Sequence, residues 1–242
     1  MAQSRILCLG ETHDHPDVHR WQAQVLEGLL ALGLSPALCF EMLPREAQPM
    51  LEAWGRGELT YAEFLRRVRW NEVWGFDPEL YRPLFELGRD RVLPMRALNV
   101  RRDLVRRVGR EGWEAIPEAR REGLSRPAPA SPAYRRMLFG LTGGPRPDRG
   151  AMSPSDPAFD NFVRAQQVWD RAFAEGLIEA RAMQGVSLAV GLIGRGHLEN
   201  GLGVPEQLAD LGETDVLVAL VEPEQAPQAP GMADLVFTLG AG

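Results

Sequence analysis

The sequence of 242 residues predicts an α/β fold, with a mostly parallel central sheet flanked by helices. Its short apolar runs are rich in valine, isoleucine and leucine and lack strict alternation, which indicates strands covered on both faces. A helical pattern lies between the first two runs, as in a βαβ unit. Because 45% of the residues are hydrophobic and 25% are charged, we expect an ordinary globular core.

Five segments are predicted to be buried strands, and a sixth is predicted at an edge of the sheet. The five span residues 5–10, 37–42, 92–99, 187–194 and 215–221, and the edge strand spans 234–239. Between the first two strands, residues 18–32 are predicted to form a helix that Gly33 ends as a C-terminal cap.

Residues from about 101 to 160 interrupt this alternation of strands and helices. Arginine-rich helical segments come first, and a stretch rich in proline and glycine follows at 126–147. Since the whole segment is short and polar for a unit with its own core, we interpret it as a helical insertion or lid. It belongs to a single domain spanning residues 1–242, in which 223–230 is predicted to be a connecting loop.

Charge and motif content exclude several classes of function. The net charge of -6 and the pI near 5.4 argue against nucleic acid as a partner, because phosphates favour basic surfaces. The sequence has no lysine, which excludes a Schiff-base lysine and a P-loop lysine. It also lacks the G-x-S-x-G, H-E-x-x-H and C-x-x-C motifs of serine hydrolases, common zincins and thioredoxins.

Cys8 and Cys39 both lie inside apolar runs, so we predict buried structural thiols. No run approaches the ~18 consecutive apolar residues of a membrane span, and we expect no transmembrane segment. No signal peptide precedes the first strand of the sequence as given, which predicts a cytoplasmic protein. Removal of a leader would instead indicate a periplasmic or membrane-anchored protein.

The four histidines are not scattered. His13, His15 and His19 fall within seven residues, and His197 lies in a glycine-rich segment late in the chain. Pro16 is expected to begin a helix, so His15 and His19 share one helical face if His15 belongs to the first turn. The start of this helix is an alternative site for an anion.

Polar residues stand at the ends of four predicted strands. Glu11 and His13 follow the first strand, Glu41 ends the second, and Asn99 and His197 mark the ends of the third and fourth. Because ligands of open α/β sheets bind at the carboxyl ends of the strands, we expect these side chains to converge on one rim. Glu41 is the most informative of them, since a buried carboxylate needs a cation or a histidine as partner.

This combination of residues has a chemical interpretation. Imidazole and carboxylate groups suit divalent zinc, manganese or iron, and a nearby carboxylate can act as a general base. The sequence therefore predicts a metal or acid–base site formed by Glu11, His13, Glu41 and His197. Taken singly, Glu11 is better explained as a cap of the following helix, and His13 as a buried histidine with satisfied hydrogen bonds, than as a ligand. The four residues together favour function.

Two segments carry aromatic residues. Residues 74–83 bring two aromatic residues and Tyr81 to the start of a predicted helix, and a second helix carries a stripe in which Trp169 and Phe173 are predicted to pack in the core. Tyr81 and Asp170 carry polar groups that need partners if they are buried.

The motifs, in their order and spacing over residues 5–221, resemble the ChaN family of haem-binding, often lipid-anchored bacterial proteins. The segments that carry the resemblance are Leu9-Gly10-Glu11-Thr12-His13-Asp14 with His19 and Gln22, Phe40-Glu41-Met42, Tyr81-Arg82-Pro83-Leu84, Ala97-Leu98-Asn99, Gln166 with Trp169-Asp170, and Gly194-Arg195-Gly196-His197-Leu198 with Gly201-Leu202-Gly203-Val204-Pro205.

The resemblance implies a haem-binding protein linked to iron uptake or haem handling. In such a protein a tyrosine hydroxyl contacts the haem iron, and two subunits pair around stacked haems. Tyr81 is the tyrosine that matches a family motif, and a phenolate suits ferric haem as a hard anionic ligand. The resemblance thus implies haem or another small molecule as partner, and a homodimer as the assembly.

The same resemblance assigns roles to the rim. His13 and His197 are expected to line the haem cleft, and the insertion at 101–160 helps to cover the porphyrin. Haem propionates are anionic and favour arginine partners. The candidate partners are Arg82, Arg101, Arg102 and Arg195.

ChaN proteins are also similar to Tiki-type metalloproteases and erythromycin esterases. That relation implies, as the alternative function, a metal-dependent hydrolase that uses the four strand-end residues with help from His19 or Asp170. A third hypothesis is a noncatalytic module that keeps these residues as relics. The presence of both carboxylates and both histidines argues against it.

Overall fold

A computed structural model describes residues 5–145, 150–223 and 231–239. The strands are β1 (Arg5–Glu11), β2 (Pro36–Pro44), β3 (Met95–Asn99), β4 (Leu188–Gly194), β5 (Val216–Pro223) and β6 (Leu235–Leu239). The α-helices are α1 (Pro16–Ala31), α2 (Gln48–Gly55), α3 (Tyr61–Arg67), α4 (Trp70–Val73), α5 (Arg82–Asp90), α6 (Arg102–Glu111), α7 (Pro132–Leu141), α8 (Asp160–Arg181) and α9 (Val204–Asp210). The end of the proline- and glycine-rich stretch, at 146–147, and residues 224–230 of the predicted connecting loop lie outside the described residues.

The strands form one sheet in the order β3-β2-β4-β1-β5-β6, and neighbouring strands are parallel throughout the described part of the chain. Parallel neighbours require crossover connections, and the helices supply them. Helices α1 to α5 cover one face of the sheet, while α6, α8 and α9 cover the other. The predicted α/β fold is confirmed.

Each strand contributes side chains to two apolar cores, one on each face of the sheet. Along β1, Ile6 and Cys8 face the core under α8, and Leu7 and Leu9 face the core under α1. Side chains alternate between the two faces of a strand, so a strand with helices on both sides needs apolar residues at every position. This double burial explains why the apolar runs of the sequence show no alternation.

The third strand begins later than predicted, at Met95 rather than Val92. Val92 has φ of 54°, and its amide donates a hydrogen bond to the carbonyl of Arg89 in the turn after α5. A positive φ is rare for a β-branched residue, and no sequence pattern predicts it at Val92. The other strands begin and end within two residues of the predicted positions.

Helix α1 begins at Pro16, where a missing backbone N–H has no consequence. It ends before Gly33, whose φ of 77° supplies the predicted cap. His15 precedes the helix in extended conformation. His15 and His19 therefore do not share a helical face.

The segment predicted as a helical insertion contains α6 and α7, and its last residue, Asp160, begins α8. Helix α6 packs against α8. Helix α7 builds a small apolar cluster in which Tyr134 and Leu138 pack with Phe159 and Val163.

Cys8 and Cys39 are buried and carry free thiols, as predicted. Both lie opposite Gly191, on either side of β4, so a whole strand separates them. Burial, followed by the charge of Asp234, raises the pKa of the Cys8 thiol to about 12. A thiol that stays protonated is unreactive, in keeping with a structural role.

None of the helices in the described part of the chain has the length and apolar character that crossing a bilayer requires.

Strands β1 and β4 are neighbours, but the chain leaves them toward opposite faces of the sheet. Strand β1 leads into α1 in one helical layer, and β4 leads through short turns into α9 in the other. The point between two such strands is where open α/β sheets form a crevice. Glu11 and Gly194 form the last paired position of β1 and β4, so they border this crevice.

Candidate functional site

The structure brings the four strand-end residues together at this crevice. Glu11 ends β1, and Glu41 lies near the end of β2. His13 follows β1, and His197 closes a short turn directly after β4. Asn99, at the end of β3, donates a hydrogen bond of 2.8 Å to the carbonyl oxygen of Glu41 and holds the edge of β2 in place.

Glu11 holds the ring of His13. Its carboxylate is 1% exposed and accepts a hydrogen bond of 2.8 Å from His13 Nδ1. It also accepts from Gln22 Nε2, on α1, at 3.2 Å. Because a carboxylate only accepts, Nδ1 of His13 is the donor, and Nε2 carries the lone pair of the neutral ring.

His19 supports the main chain behind His13. It is 2% exposed, and its Nε2 lies 3.1 Å from the carbonyl oxygen of His13. Its Nδ1 lies 3.2 Å from Gln22 Oε1. His19 therefore positions His13 and does not face a cleft.

Tyr81 is enclosed behind the same carboxylate. It has no exposed surface, and its hydroxyl donates to Glu11 Oε1 at 3.0 Å and to the His13 carbonyl at 3.2 Å. Burial and the charge of Glu11 raise the pKa of the phenol far above its ordinary value. In this conformation Tyr81 positions Glu11 and His13, and its role as haem ligand stays a prediction.

A second imidazole is held in the same way. His197 Nδ1 lies 2.6 Å from Asp170 Oδ1, and Asp170, on α8, has no exposed surface. The other oxygen of Asp170 accepts a hydrogen bond from the hydroxyl of Tyr134, on α7. The rings of Phe173 and Trp169 meet His197 edge-on, at centroid distances of 5.3 and 6.3 Å.

Glu41 lies between the two histidines. Its Oε2 accepts a hydrogen bond from the Gly194 amide, and its Oε1 is 3.8 Å from His197 Nε2. A Cβ at position 194 would lie 3.0 Å from His13 Nε2 and 3.4 Å from Glu41 Oε2. Glycine at this position therefore allows His13 and Glu41 to approach the same point of the backbone.

The three groups bind protons more tightly in the folded state. Burial lowers the pKa of His13, but the hydrogen bond to Glu11 and the charges of Glu41 and Glu11 outweigh it and raise that pKa. Burial likewise lowers the pKa of His197, while Asp170 and Glu41 raise it above its ordinary value. Burial raises the pKa of Glu41 more than His197 and His13 lower it.

We expect the free energy of unfolding to fall as the pH rises above about 6.5, the ordinary histidine pKa. The raised pKa values of His13 and His197 stabilise the fold fully below that pH, and this stabilisation is lost as each histidine deprotonates in the folded protein. Urea unfolding at a series of pH values measures the slope. His197→Gln, which does not titrate, should flatten it, and an unchanged slope would show that other groups cause it.

Two clefts open beside the histidines and share His13, Phe76 and His197. The larger, here called the arginine cleft, has a volume of about 610 Å³ and is lined by Trp74, Trp169, Glu41, Arg69, Arg101, Arg102 and Arg106 among others. The smaller, here called the glycine cleft, has a volume of about 430 Å³ and is lined by Leu138, Leu141, Phe162, Gly194, Arg195 and Gly196 among others.

Three of the four arginines predicted to meet propionates, namely Arg82, Arg101 and Arg195, have their charges balanced already. Arg195 borders the glycine cleft and donates to Glu199 and Glu222. Arg82 lines neither cleft and forms ion pairs with two glutamates of its own segment. The role of Arg195 in cofactor binding stays a prediction.

Across residues 5–145, 150–223 and 231–239, no three His, Cys, Asp or Glu side chains are arranged to share a metal ion. Glu11 already accepts from Tyr81, and Glu41 from the Gly194 amide. The four predicted metal ligands are thus close together without forming a shared coordination sphere. The binding of zinc, manganese or iron stays a prediction.

Tyr134 and Arg106 belong to the site, although neither was predicted to do so. Tyr134 lies 36 residues from Asp170 in the chain and has no motif around it. The spacing of Arg106 in the sequence is a weak indication of such a role, because Arg106 stands four residues after Arg102 on an amphipathic helix. The two arginines therefore lie on the same face of that helix.

Comparison with protein families matches residues 1–208 to the family described as haem-binding uptake, Tiki superfamily, ChaN. A search of curated proteins gives no match.

Several solved structures share the fold. ChaN of Campylobacter jejuni, a structure that describes cofacial haem binding, has a TM-score of 0.63 and 16% identity, covering 93% of this chain and 84% of that one. The type III effector HopBA1 has a TM-score of 0.52 and 12% identity, covering 97% of this chain and 87% of that one. A mutant of the erythromycin esterase EreC in its open conformation has a TM-score of 0.50 and 12% identity, covering 96% and 75%. At sequence identities of 12–16%, the similarity to these structures shows a shared fold and nothing more.

Proposed function

The chain belongs to the haem-binding ChaN family of the Tiki superfamily, and on that basis we propose that it binds haem in the arginine cleft. One observation carries the proposal. Two imidazoles, His13 and His197, line the same cleft, each is held by a carboxylate through Nδ1, and neither makes a hydrogen bond through Nε2 within the described residues.

The walls of the cleft suit a flat apolar ligand. The volume of about 610 Å³ falls within the ~300–1,000 Å³ of small-molecule sites. Trp74 meets the His13 ring edge-on at a centroid distance of 4.7 Å, and Phe76 lies 5.1 Å from it. Trp169 borders the same cleft beside His197. Such aromatic walls bind a porphyrin through apolar contact.

His13 is the better placed of the two histidines to hold the iron. Its side chain is 29% exposed, against 14% for His197. The hydrogen bond from Nδ1 to Glu11 fixes the ring and makes Nε2 a stronger base, as it does for metal-bound histidines in general. Bound haem would supply a ferric iron as Lewis acid at this nitrogen.

Family membership supports the wider role as well. We propose that haem binding serves iron uptake or haem handling, and that two copies of the chain pair when haem is bound. Analytical ultracentrifugation with and without haemin tests the pairing. A sedimentation coefficient that haemin leaves at the monomer value would contradict it.

The binding itself is tested by titrating the purified protein with haemin and following the visible absorbance. We expect a saturable change at one haem per chain. A change that grows linearly with added haemin, like that of haemin alone in buffer, would contradict the proposal.

A second candidate function, hydrolysis, is favoured by one feature of the site. The pairs His13–Glu11 and His197–Asp170 lie on either side of Glu41, so one imidazole can accept a proton while the other donates one. Carboxylate-held histidines perform these two roles in many hydrolases. Zinc, manganese or iron would be needed if the reaction also requires a Lewis acid.

A panel of esters and peptides, with and without zinc, manganese and iron, tests this candidate. If an ester is cleaved, Asp170→Asn should lower kcat about a hundredfold or more, since it removes the charge that orients a general acid–base group. Haemin binding by the same variant serves as the control for folding. No cleavage by the wild type under any of these conditions would contradict hydrolysis.

A further inference from the structure

The arginines of the arginine cleft differ in whether a carboxylate balances them. Arg69 forms an ion pair with Glu72. Arg101 forms one with Glu122 at 3.1 Å. Glu46, another carboxylate of the cleft wall, acts electrostatically on both Arg69 and Arg101. This side of the cleft therefore has little positive charge to offer a ligand.

Arg102 and Arg106 are different. Among the residues that the structure describes, neither forms an ion pair, and both are exposed at the cleft. Arg102 donates one hydrogen bond of 2.9 Å to the carbonyl oxygen of Val73, which ties its guanidinium to the opposite wall, and its other N–H groups have no partner among the described residues. Arg106 has no hydrogen-bond partner in that part of the chain.

Their spacing places the two arginine side chains on the same face of α6. They stand four residues apart on α6, so their Cβ atoms are about 6 Å apart on one face of the helix. A guanidinium binds a carboxylate through two parallel hydrogen bonds, and the two arginines can each bind one.

We propose that Arg102 and Arg106 form a clamp for two neighbouring carboxylates on one edge of a flat apolar ligand. The inference rests on the proposed function, in which the two haem propionates are these carboxylates. In this arrangement the aromatic walls and His13 contact the porphyrin ring, and the two arginines of α6 bind the edge of the porphyrin that carries the propionates. Arg195, whose charge Glu199 and Glu222 already balance, takes no part.

The test compares haemin with haemin dimethyl ester, in which both propionates are uncharged. Each is titrated, in the same buffer with dilute detergent, into the wild type and into Arg102→Gln/Arg106→Gln. We expect the wild type to bind haemin about tenfold more tightly than the ester, as two partly exposed ion pairs allow. The double variant should bind both porphyrins with the affinity that the wild type has for the ester.

Arg110→Gln is the control from the same helix, and it removes a charge that has Glu111 as a partner at 3.9 Å. Arg110 lies one turn further along the same face of α6, is exposed, and is absent from the lining of either cleft. It should keep the wild-type preference for haemin, and circular dichroism should show that all variants retain their helical content.

The outcomes separate the two proposals. A double variant that still prefers haemin as strongly as the wild type overturns the clamp and leaves haem binding standing. A wild type that binds neither porphyrin overturns haem binding and the clamp with it. Loss of the preference in Arg110→Gln as well would show a general effect of charge and would also overturn the clamp.

Discussion

His13→Ala should weaken haemin binding at least about a hundredfold, because even the loss of a supporting partner of a metal-bound histidine typically costs ten- to a hundredfold in affinity. The substitution removes the imidazole whose Nδ1 is held by Glu11 and whose ring contacts those of Trp74 and Phe76. Titration with haemin, followed by visible absorbance, measures the dissociation constant and the spectrum of the bound iron.

His15→Ala is the control within the same segment. His15 lies two residues further along, has a half-buried side chain, and lines neither cleft. It should bind haemin as the wild type does, so a general disturbance of the loop after β1 would be visible as weaker binding in both variants.

Tyr81→Phe separates the two candidate ligands. It removes the hydroxyl that donates to Glu11 and to the His13 carbonyl but leaves the ring in the core. We expect the bound spectrum to remain that of imidazole-ligated haem, with modestly weaker binding because Glu11 loses one donor. A wild-type spectrum of the phenolate type that Tyr81→Phe abolishes and His13→Ala preserves would make Tyr81 the ligand and contradict our assignment.

Gly203→Ala should lower the free energy of unfolding by about 3 kcal/mol, the upper range for a residue forced into a sparsely populated backbone region. Gly203 has φ of 68° and ψ of -114° immediately before α9. A Cβ there would lie 2.6 Å from the carbonyl oxygen of His197 and 3.3 Å from Asp170 Oδ1. The backbone of the turn would have to move, and the pairing of His197 with Asp170 would move with it. Urea unfolding measures the stability loss.

Gly201→Ala isolates the effect of the contact. Gly201 also has φ of 68°, but a Cβ there would meet no described residue within 4 Å. Its substitution should cost about 1 kcal/mol, the ordinary penalty of a left-handed conformation, and should leave haemin binding unchanged. Equal losses in the two variants would show that φ alone matters and that the contact with His197 does not.

Much of the fold was predictable from contiguous residues. The apolar runs predicted six strands, because a strand with a helical layer on each face must be apolar at every position. Gly33 predicted the end of α1, since a positive φ after a helix favours glycine. The exceptions are local conformations that no sequence pattern predicts. Val92 lies in a turn with a positive φ instead of in a strand, and His15 lies before α1 instead of in its first turn.

The candidate site was predictable in part for a related reason. Glu11, Glu41 and His197 stand where buried strands end, and parallel strands present their carboxyl ends at one edge. The sequence alone therefore determined the fold class and the residues that meet at the crevice, because both follow from the periodicity and the ends of short contiguous segments.

Only the tertiary structure decided what each of those residues does. Tyr81 is 70 residues from Glu11 in the chain, and its hydroxyl is enclosed behind that carboxylate instead of facing a cleft. Asp170 holds His197 because α8 packs against β4. Among the described residues no carboxylate pairs with Arg102 or Arg106, while Glu72 and Glu122 pair with Arg69 and Arg101. Such partners are brought together by the packing of distant segments, and hydrogen bonds and ion pairs depend on distances of a few ångströms that no spacing along the chain encodes.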